Sequence, residues 1–285
     1  MKQLTIISGK GGTGKTTVAA AFASLAGNAV LADCDVDAPD LHLVLTPEVQ
    51  KEEEFIGSRV AIRKIDCSRC GKCREACRFD AIDEDITISE VKCEGCGVCA
   101  FVCPEDAIEL EDRKTGMIYI SKTRFGPMVH AELGIGEEAS GKLVTQVRQK
   151  AQELTGNGRD LVIIDGSPGI GCPLIASITG VDLVLAVAEP TVSGIHDLER
   201  VLEVAEHFGI RACVCINKYD INEENTEKIE EFCRARGVPV VGKIPYDNVA
   251  TEAMINEKTV VEYSDSRLSK NLKDVWEGVE RFLRG

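Results

Sequence analysis

The chain lacks three features that would place it in common classes of protein. Its longest apolar runs fall far short of a membrane span, so we expect no membrane insertion. It has no basic excess, since 33 Lys and Arg stand against 47 Asp and Glu, for a formal net charge of −14. No basic stripe could follow a phosphate backbone, which excludes nucleic acid as an expected partner. The first residues do not read as a signal peptide, so we expect a cytoplasmic protein.

The chain is rich in cysteine, with 13 in 285 residues. Disulfides are not expected from an odd number of cysteines without a signal peptide. Two structural zinc sites are the other alternative, but they would use Cys-x-x-Cys pairs well separated in sequence. Thiolates in one short run line a tight turn and converge on one centre, which suits a cubane iron–sulfur cluster. Eight cysteines form two such runs: Cys67, Cys70, Cys73 and Cys77, then Cys93, Cys96, Cys99 and Cys103.

The two runs resemble a bacterial two-cluster ferredoxin, in which the fourth cysteine of each run binds the other cluster. The resemblance implies two [4Fe-4S] clusters. One departure is Arg78, where the family usually has proline, whereas Cys103-Pro104 keeps the pattern. The ligand sets implied by the resemblance are Cys67, Cys70, Cys73 and Cys103 for the first cluster, and Cys93, Cys96, Cys99 and Cys77 for the second.

A glycine-rich loop lies between an apolar run, Lys2–Ile7, and an alanine-rich stretch that ends at Ala26. A strand, such a loop and a helix form the context of a phosphate-binding loop. We expect Lys15 to contact the β- and γ-phosphates and the Thr16 hydroxyl to ligate Mg²⁺. The helix N-terminus adds the positive end of its dipole. The other residues expected to surround the phosphates are Gly11, Gly12, Thr13, Gly14 and Thr17.

The loop carries a second lysine, Lys10, in the form Lys-Gly-Gly-x-Gly-Lys-Thr-Thr. This form resembles the deviant Walker A motif of the MinD/ParA/nitrogenase iron protein group. The resemblance implies ATP and ADP as ligands and a homodimer that forms with ATP. It also implies that Lys10 reaches the partner's nucleotide, the alternative being a solvated loop lysine.

Carboxylates follow two apolar runs that are predicted to be strands. Asp33 and Asp35 come after Val30–Ala32, and Asp165 ends the run from Asp160. Ligands of an open α/β sheet bind at such strand ends, although helix capping is an alternative use of these carboxylates. In the family, Asp35 would orient the attacking water and Asp33 would lie near the metal's hydration shell. Asp165 would hold Mg²⁺ through water, and Gly169 would sense the γ-phosphate.

Three further runs, at residues 181–187, 211–216 and 238–244, are predicted strands. Each ends in a polar or proline-containing segment. By resemblance to the family, Asn217 would read the adenine edge, and Pro245 and Asp247 would pack around the base.

Strands that alternate with helical segments predict an α/β fold, a doubly wound and mostly parallel sheet. We expect a small α+β ferredoxin domain to be inserted in it. The predicted ranges are 1–56 for the first part of the ATPase, 57–120 for the inserted domain, and 121–285 for a connector and the second part. Glu52–Glu54 is expected to mark the junction, Asp112–Gly116 a hairpin turn, and Phe125–Gly141 the connector.

Residues outside these motifs have plainer interpretations. Cys172 is either a small buried residue beside a tight turn or a metal or redox group at a dimer interface. His130 has no visible partner ligand and is expected to be structural or solvated. Apolar residues recur at helical spacing from Arg267 to Leu283, with acidic residues between them, which favours packing on the core over membrane contact.

Nearly the whole chain resembles MinD-superfamily ATPases that carry an inserted two-cluster ferredoxin domain. The resemblance implies ATP hydrolysis coupled to electron transfer, with an unknown redox partner or metalloprotein partner. A factor that assembles or delivers clusters or metal is the alternative. A spatial regulator like MinD is a third possibility, but this function would not explain why the chain contains the cysteine runs.

Overall fold

The computed structural model describes residues 1–138, 140–156 and 158–284, and the chain divides into two compact units. Unit 1 consists of Met1–Glu52, Ile118–Glu132 and Ala139–Gly285. Unit 2 consists of Glu53–Met117 and Leu133–Glu138. The residues of unit 2 therefore begin earlier than the predicted boundary at residue 57, and they include a second, separate segment.

The order of elements along the chain is that of a sheet protein with helical connections. The strands are β1 (Lys2–Ile7), β2 (Val30–Asp33), β3 (Glu48–Arg63), β4 (Ile108–Thr123), β5 (Gly126–Leu133), β6 (Leu161–Asp165), β7 (Leu183–Ala188), β8 (Ala212–Asn217) and β9 (Val240–Ile244). The helices are α1 (Lys15–Ala26), α2 (Leu41–Leu45), α3 (Lys72–Glu75), α4 (Val98–Phe101), α5 (Gly141–Glu153), α6 (Cys172–Ile178), α7 (Val192–His207), α8 (Glu223–Ala235), α9 (Val249–Ile255), α10 (Val260–Tyr263) and α11 (Arg267–Arg284). A short 3₁₀ helix covers Tyr219–Ile221.

The strands lie in the order β3-β4-β5-β2-β6-β1-β7-β8-β9. From β5 to β9 every neighbouring pair is parallel. The central strands are buried along nearly their whole length, as expected for a parallel sheet covered on both faces. The prediction of an α/β fold with a mostly parallel sheet is confirmed.

One prediction about the segments around the cysteine runs is wrong, and another agrees with the division into units. Asp112–Gly116 is part of the continuous strand β4 instead of a hairpin turn. Glu52–Glu54 lies inside β3, and the boundary between units 1 and 2 falls within it, between Glu52 and Glu53, at the predicted junction. Gly57 also lies within β3, where a Cβ would come within 2.1 Å of Thr115 Oγ1. The glycine therefore permits close packing within the strand pair.

The predicted connector Phe125–Gly141 contains strand β5. Its residues Met128 and Val129 are fully buried and lie opposite Leu31 and Ala32 of β2. The strand is short and begins with Gly126 and Pro127, which read locally as turn residues, so its strand character becomes clear only from the neighbour with which it pairs.

The C-terminal helix packs on the core of unit 1, as the spacing of its apolar residues predicts. Trp276 lies 4.9 Å from Phe22 of α1, measured between ring centroids. Leu283 at the end of the predicted stripe is buried, whereas Phe282 is 37% exposed. Across residues 1–138, 140–156 and 158–284, no helix combines the length and the apolar character needed to cross a bilayer.

Unit 2 contains an internal structural repeat that follows the two cysteine runs. The four-residue helices α3 and α4 each begin after a glycine with left-handed backbone, Gly71 (φ 81°) and Gly97 (φ 79°). Asp80 and Asp106 are also left-handed, at φ 49° and 50°. The two runs therefore fold in the same way.

Candidate functional site

The glycine-rich loop lies between β1 and α1 at the carboxyl edge of the parallel strands. Gly14 has φ 90°, and a Cβ there would come within 2.2 Å of Asn217 Nδ2. Only glycine fits both the backbone and the space at this position. Helix α1 begins at the next residue, Lys15, so its free N–H groups point toward the loop.

A cleft of about 380 Å³ opens over this loop. It is large enough for a small-molecule ligand. Its walls come from segments far apart in sequence: residues 11–17 of the loop, Asp35, Asp37 and Asp40 after β2, Pro168 after β6, and Lys258 and Thr259 near α10. The loop residues and Asp35 are thus brought together as expected.

Lys15 is the electrostatic centre of the cleft. Its side chain is 5% exposed, and its Nζ lies 2.6 Å from Asp165 Oδ1 and 3.3 Å from Asp35 Oδ2. Burial by itself would lower the pKa of Lys15, but Asp165 and Asp35 outweigh it and raise the pKa. The lysine is therefore held charged, with two carboxylates as its counter-charges in place of phosphate.

Asp33, which is predicted to lie near a metal's hydration shell, is fully buried at the end of β2. Its carboxylate accepts hydrogen bonds from the backbone N–H groups of Asp35 (3.1 Å) and Leu41 (3.2 Å). Burial, and then the neighbouring charge of Asp165, raises the pKa of Asp33. Both oxygens thus accept backbone hydrogen bonds from the segment after β2, and the role of Asp33 near a metal stays a prediction.

The second oxygen of Asp165, Oδ2, is buried without a hydrogen-bond partner in the described part of the chain, and so is Thr13 Oγ1. An unpartnered buried oxygen is costly unless an absent ligand or water satisfies it. Asp165 and Thr16, which lines the cleft, supply the hard oxygen atoms that Mg²⁺ prefers. The donor set therefore fits a magnesium ion held partly through water.

Lys10 has a partner in its own chain. Its Nζ lies 2.5 Å from Glu189 Oε1 and 3.1 Å from Ser193 Oγ. Lys218 contacts the same Glu189 at 3.2 Å and also donates to the carbonyl oxygen of Gly12 at 3.0 Å. Burial would raise the pKa of Glu189, but the hydrogen bonds from Lys10 and Lys218 lower it. Sequence reasoning missed Glu189 and Lys218, because the only signal was their position just after strands β7 and β8.

The predicted adenine-site residues line one cavity of about 240 Å³, which shares Gly12, Gly14 and Thr17 with the first cleft. Asn217, Pro245 and Asp247 all contribute to it. The Asn217 amide donates to the carbonyl oxygen of Thr13 at 2.7 Å. Gly169 has φ 88°, and its N–H donates to the Ser8 carbonyl oxygen at 3.0 Å, so this N–H is not free for a phosphate in the present arrangement.

In unit 2 the eight cysteines of the repeat fall into two groups of four around two small cavities. The groups mix the runs, because the last cysteine of each run lies with the first three of the other. One cavity is lined by Cys67, Cys70, Cys73 and Cys103, and the other by Cys93, Cys96, Cys99 and Cys77. All eight are free thiols.

Neither cysteine group is arranged for a single ion. In the described residues, no group of three or more His, Cys, Asp or Glu side chains could hold a metal ion. A zinc–thiolate site would need sulfurs about 2.3 Å from one atom. A cluster of several irons instead places its ligands around its own periphery, and it requires a cavity between the thiolates. The soft thiolate donors are the ligand chemistry that such a group requires.

The remaining cysteines and His130 have distinct surroundings. Cys34, Cys213, Cys215 and Cys233 are buried, whereas Cys172, at the start of α6, is exposed. The interpretation of Cys172 as a small buried residue is therefore wrong. His130 is buried between the rings of His42 (5.9 Å) and Tyr119 (5.0 Å), and burial lowers its pKa to about 4. It is structural, as expected.

Known proteins are similar in sequence to this chain over most of its length. The family model described as the CobQ/CobB/MinD/ParA nucleotide binding domain matches residues 4–260. Uncharacterized protein MJ0578 of Methanocaldococcus jannaschii is 36% identical over 284 residues, which cover 99% of this chain and 97% of that protein.

Solved structures with the same fold include the cell division ATPase MinD of Pyrococcus furiosus, with a TM-score of 0.61 and 20% identity over 98% of both chains. The septum site-determining protein MinD of Pyrococcus horikoshii, solved with Mg-ADP, has a TM-score of 0.61 and 19% identity, over 98% of this chain and 96% of that one. The family match covers the whole cleft around Lys15. The chain therefore belongs to the CobQ/CobB/MinD/ParA nucleotide-binding family.

Proposed function

We propose that this protein is an ATPase that couples nucleotide-driven dimer switching to electron transfer through two [4Fe-4S] clusters. The observation that carries the proposal is the division of the eight repeat cysteines into two groups of four, each around its own cavity. Unit 2 would then be an inserted two-cluster ferredoxin domain. When bound, the clusters would supply one-electron transfer at low potential.

The proposed ligands of the first cluster are Cys67, Cys70, Cys73 and Cys103, and those of the second are Cys93, Cys96, Cys99 and Cys77. In each group one cysteine is buried, Cys73 or Cys99, and one is exposed, Cys70 or Cys96. Burial raises the pKa of Cys73 and of Cys99 when the thiols are free. Binding of iron would therefore release protons from these thiols.

The nucleotide site supports an ATPase through the charges around Lys15. The Lys15 ammonium pairs with Asp165 and Asp35 in this structure. On nucleotide binding, the phosphates would replace these carboxylates as its ion-pair partners. Asp35 would then be free to orient the attacking water, while Asp165 and Thr16 would hold Mg²⁺. Catalysis of phosphoryl transfer is mostly such positioning and charge stabilisation. Bound Mg²⁺ would neutralise charge on the phosphates.

Dimer switching rests on Lys10. The side chain now pairs with Glu189 and Ser193 of its own chain. A role at the partner's nucleotide would require the Lys10–Glu189 pair to break, and Lys218 would remain to neutralise Glu189. ATP binding would therefore exchange an ion pair within the chain for one between two chains.

Unit 2 joins unit 1 through strands β3 and β4, which each contribute residues to both units. β3 follows the segment that carries Asp35 and helix α2 in the chain. A nucleotide-dependent change after β2 would thus be passed to unit 2 through continuous backbone. A ligand shifts such an equilibrium only by binding one state better.

A second candidate function is a factor that assembles or delivers clusters or metal to a target protein. The exposure of Cys70 and Cys96 favours it, because an accessible thiolate allows a target's ligand to replace it. Both functions require the same cysteine groups, and they differ in what leaves the protein, an electron or the metal itself.

The decisive experiment is purification without oxygen, followed by iron and sulfide analysis and by a pull-down from the native organism. We expect about eight iron and eight sulfide per chain. Stoichiometric zinc without acid-labile sulfide would refute both functions. Reduction of the captured partner only during ATP turnover would support electron transfer, whereas loss of bound iron to the partner would support delivery.

A further inference from the structure

The two cysteine runs can be compared position by position, since they share one backbone. Cys67 corresponds to Cys93 and Cys77 to Cys103. The residue two positions after the first cysteine is left-handed in both, Arg69 at φ 56° and Gly95 at φ 60°. The two runs therefore differ in their side chains and not in their backbone conformation.

The main difference is charge. The first run carries four exposed basic residues where the second has uncharged ones. The corresponding pairs are Arg69 and Gly95, Lys72 and Val98, Arg74 and Ala100, Arg78 and Pro104. Arg74 pairs with Glu84 at 3.1 Å. Within the described residues, Arg69, Lys72 and Arg78 form no ion pair, in a chain whose net charge is −14.

The charges reach the walls of the cavities. Arg69 and Lys72 line the cavity of Cys67, Cys70, Cys73 and Cys103, together with Glu105. Glu94 is the charged residue in the wall of the other cavity, where Val98 takes the place of Lys72. The first cavity therefore has a net positive wall and the second a net negative one.

Hydrogen bonds to sulfur differ in the same direction. In the first group, the N–H of Arg69 donates to Cys67 Sγ at 3.4 Å and that of Ala107 to Cys103 Sγ at 3.3 Å. In the second group, the N–H of Ala61 donates to Cys93 Sγ at 3.4 Å. Reduction adds negative charge to a cluster, so nearby positive charges and N–H donors both favour the reduced form.

We propose that the two cysteine groups hold clusters of unequal reduction potential, with the higher potential at Cys67, Cys70, Cys73 and Cys103. The proposal rests on the proposed function, since it requires both clusters. One electron added to the oxidised protein then resides at this first group, and a second electron is needed to reduce the group at Cys93. Electrons pass from the second group to the first, one at a time, so a partner accepts them beside the basic residues Arg69, Lys72 and Arg78.

A matched pair of substitutions tests this assignment. Lys72→Val gives the first run the side chain of the second, and Val98→Lys does the reverse. Both positions are exposed and lie at the start of a four-residue helix, so each variant copies a side chain that the same backbone already accepts.

The experiment is an anaerobic titration of the iron-loaded protein with dithionite, followed by electron paramagnetic resonance. We expect two one-electron steps in the wild type. Lys72→Val should lower the higher step, with a change of roughly threefold in its reduced-to-oxidised ratio at fixed potential, and Val98→Lys should raise the lower step by a similar factor. High salt should shrink both shifts, because the charges are exposed.

The outcomes separate this inference from the proposed function. About eight iron per chain with a single common potential would overturn the inference and leave the clusters in place. A shift of the lower step in Lys72→Val would also overturn it, because the assignment would be reversed. Absence of iron and sulfide would remove the proposed function and the inference together.

Discussion

The two units of this protein build their candidate sites in opposite ways. In unit 1, the charges around Lys15 come from the ends of strands that are distant in sequence, Asp35 after β2 and Asp165 at the end of β6. In unit 2, both cavities are lined largely by two short runs that repeat one local fold. A site at the edge of a parallel sheet is thus formed by residues that are distant in sequence. A site in a cysteine repeat is formed mostly by residues that are close in sequence.

The units also differ in how their charges are balanced. Lys15 is buried with two carboxylates, so any change there alters a coupled set of charges. The charged side chains around the cysteine cavities are exposed and screened by solvent. We therefore expect large effects of substitution in unit 1 and small, additive ones in unit 2.

The largest expected effect is that of Lys15→Ala on nucleotide binding. The phosphates would lose their main counter-charge, and affinity for ATP should fall by at least about a hundredfold. The measurement is equilibrium binding of a fluorescent ATP analogue. Lys10→Ala, in the same loop, is the matched control and should bind ATP nearly as well as the wild type, while it impairs hydrolysis and ATP-dependent dimerisation. Equal affinity of Lys15→Ala and wild type would refute the assigned role of the loop.

A second prediction separates binding from chemistry in the same cleft. Asp35→Asn keeps the size of the side chain but removes the carboxylate, so turnover should fall by roughly a hundredfold or more while ATP affinity changes little. Asp37→Asn, two residues later in the same cleft wall, is the control and should retain turnover. An unchanged rate in Asp35→Asn would move the role to another carboxylate, with Asp165 the next candidate.

A third prediction concerns stability and pH. The pKa of His130 is about 4 in the folded protein, below the ordinary value near 6.5. Between about pH 6.5 and pH 4, His130 is protonated in the unfolded chain but neutral in the folded one. The free energy of unfolding is therefore highest above about pH 6.5 and decreases as the pH drops toward 4. The loss should be on the order of 3 kcal/mol, and His130→Phe should remove most of it.

The single tryptophan, Trp276, lies in the core of unit 1 and reports its unfolding by urea. Absorbance of the proposed clusters reports on unit 2 in the same samples. His130→Phe should change the pH dependence of the tryptophan signal at each urea concentration. The same slope with pH in variant and wild type would contradict the assignment to His130.

The smallest expected effect is the most direct test of whether the units communicate. If ATP binding changes the potential of the proposed clusters, then cluster reduction must change ATP affinity by the same factor. We expect a factor of about five or more, measured as ATP affinity in oxidised and reduced protein without oxygen. Equal affinities, with a potential indifferent to nucleotide, would make unit 2 a passive relay and favour the delivery function.

Sequence alone determined the features that depend on local chemistry. The glycine-rich loop requires φ > 0 at Gly12 and Gly14, and the structure has both. The apolar runs of β1, β2 and β6 read as buried strands because both faces of a parallel sheet are covered. The resemblance of the cysteine runs to a two-cluster ferredoxin was sufficient to propose which four thiols would share a cavity.

Only the tertiary structure decided what depends on remote partners. β5 became recognisable by its pairing with β2, and Gly57 by the side chain of Thr115 against it. Glu189, the partner of Lys10, is far from it in sequence, and no local sequence pattern links the two residues. Such contacts arise because folding brings distant segments together, and their energies depend on burial and geometry that a linear pattern does not contain.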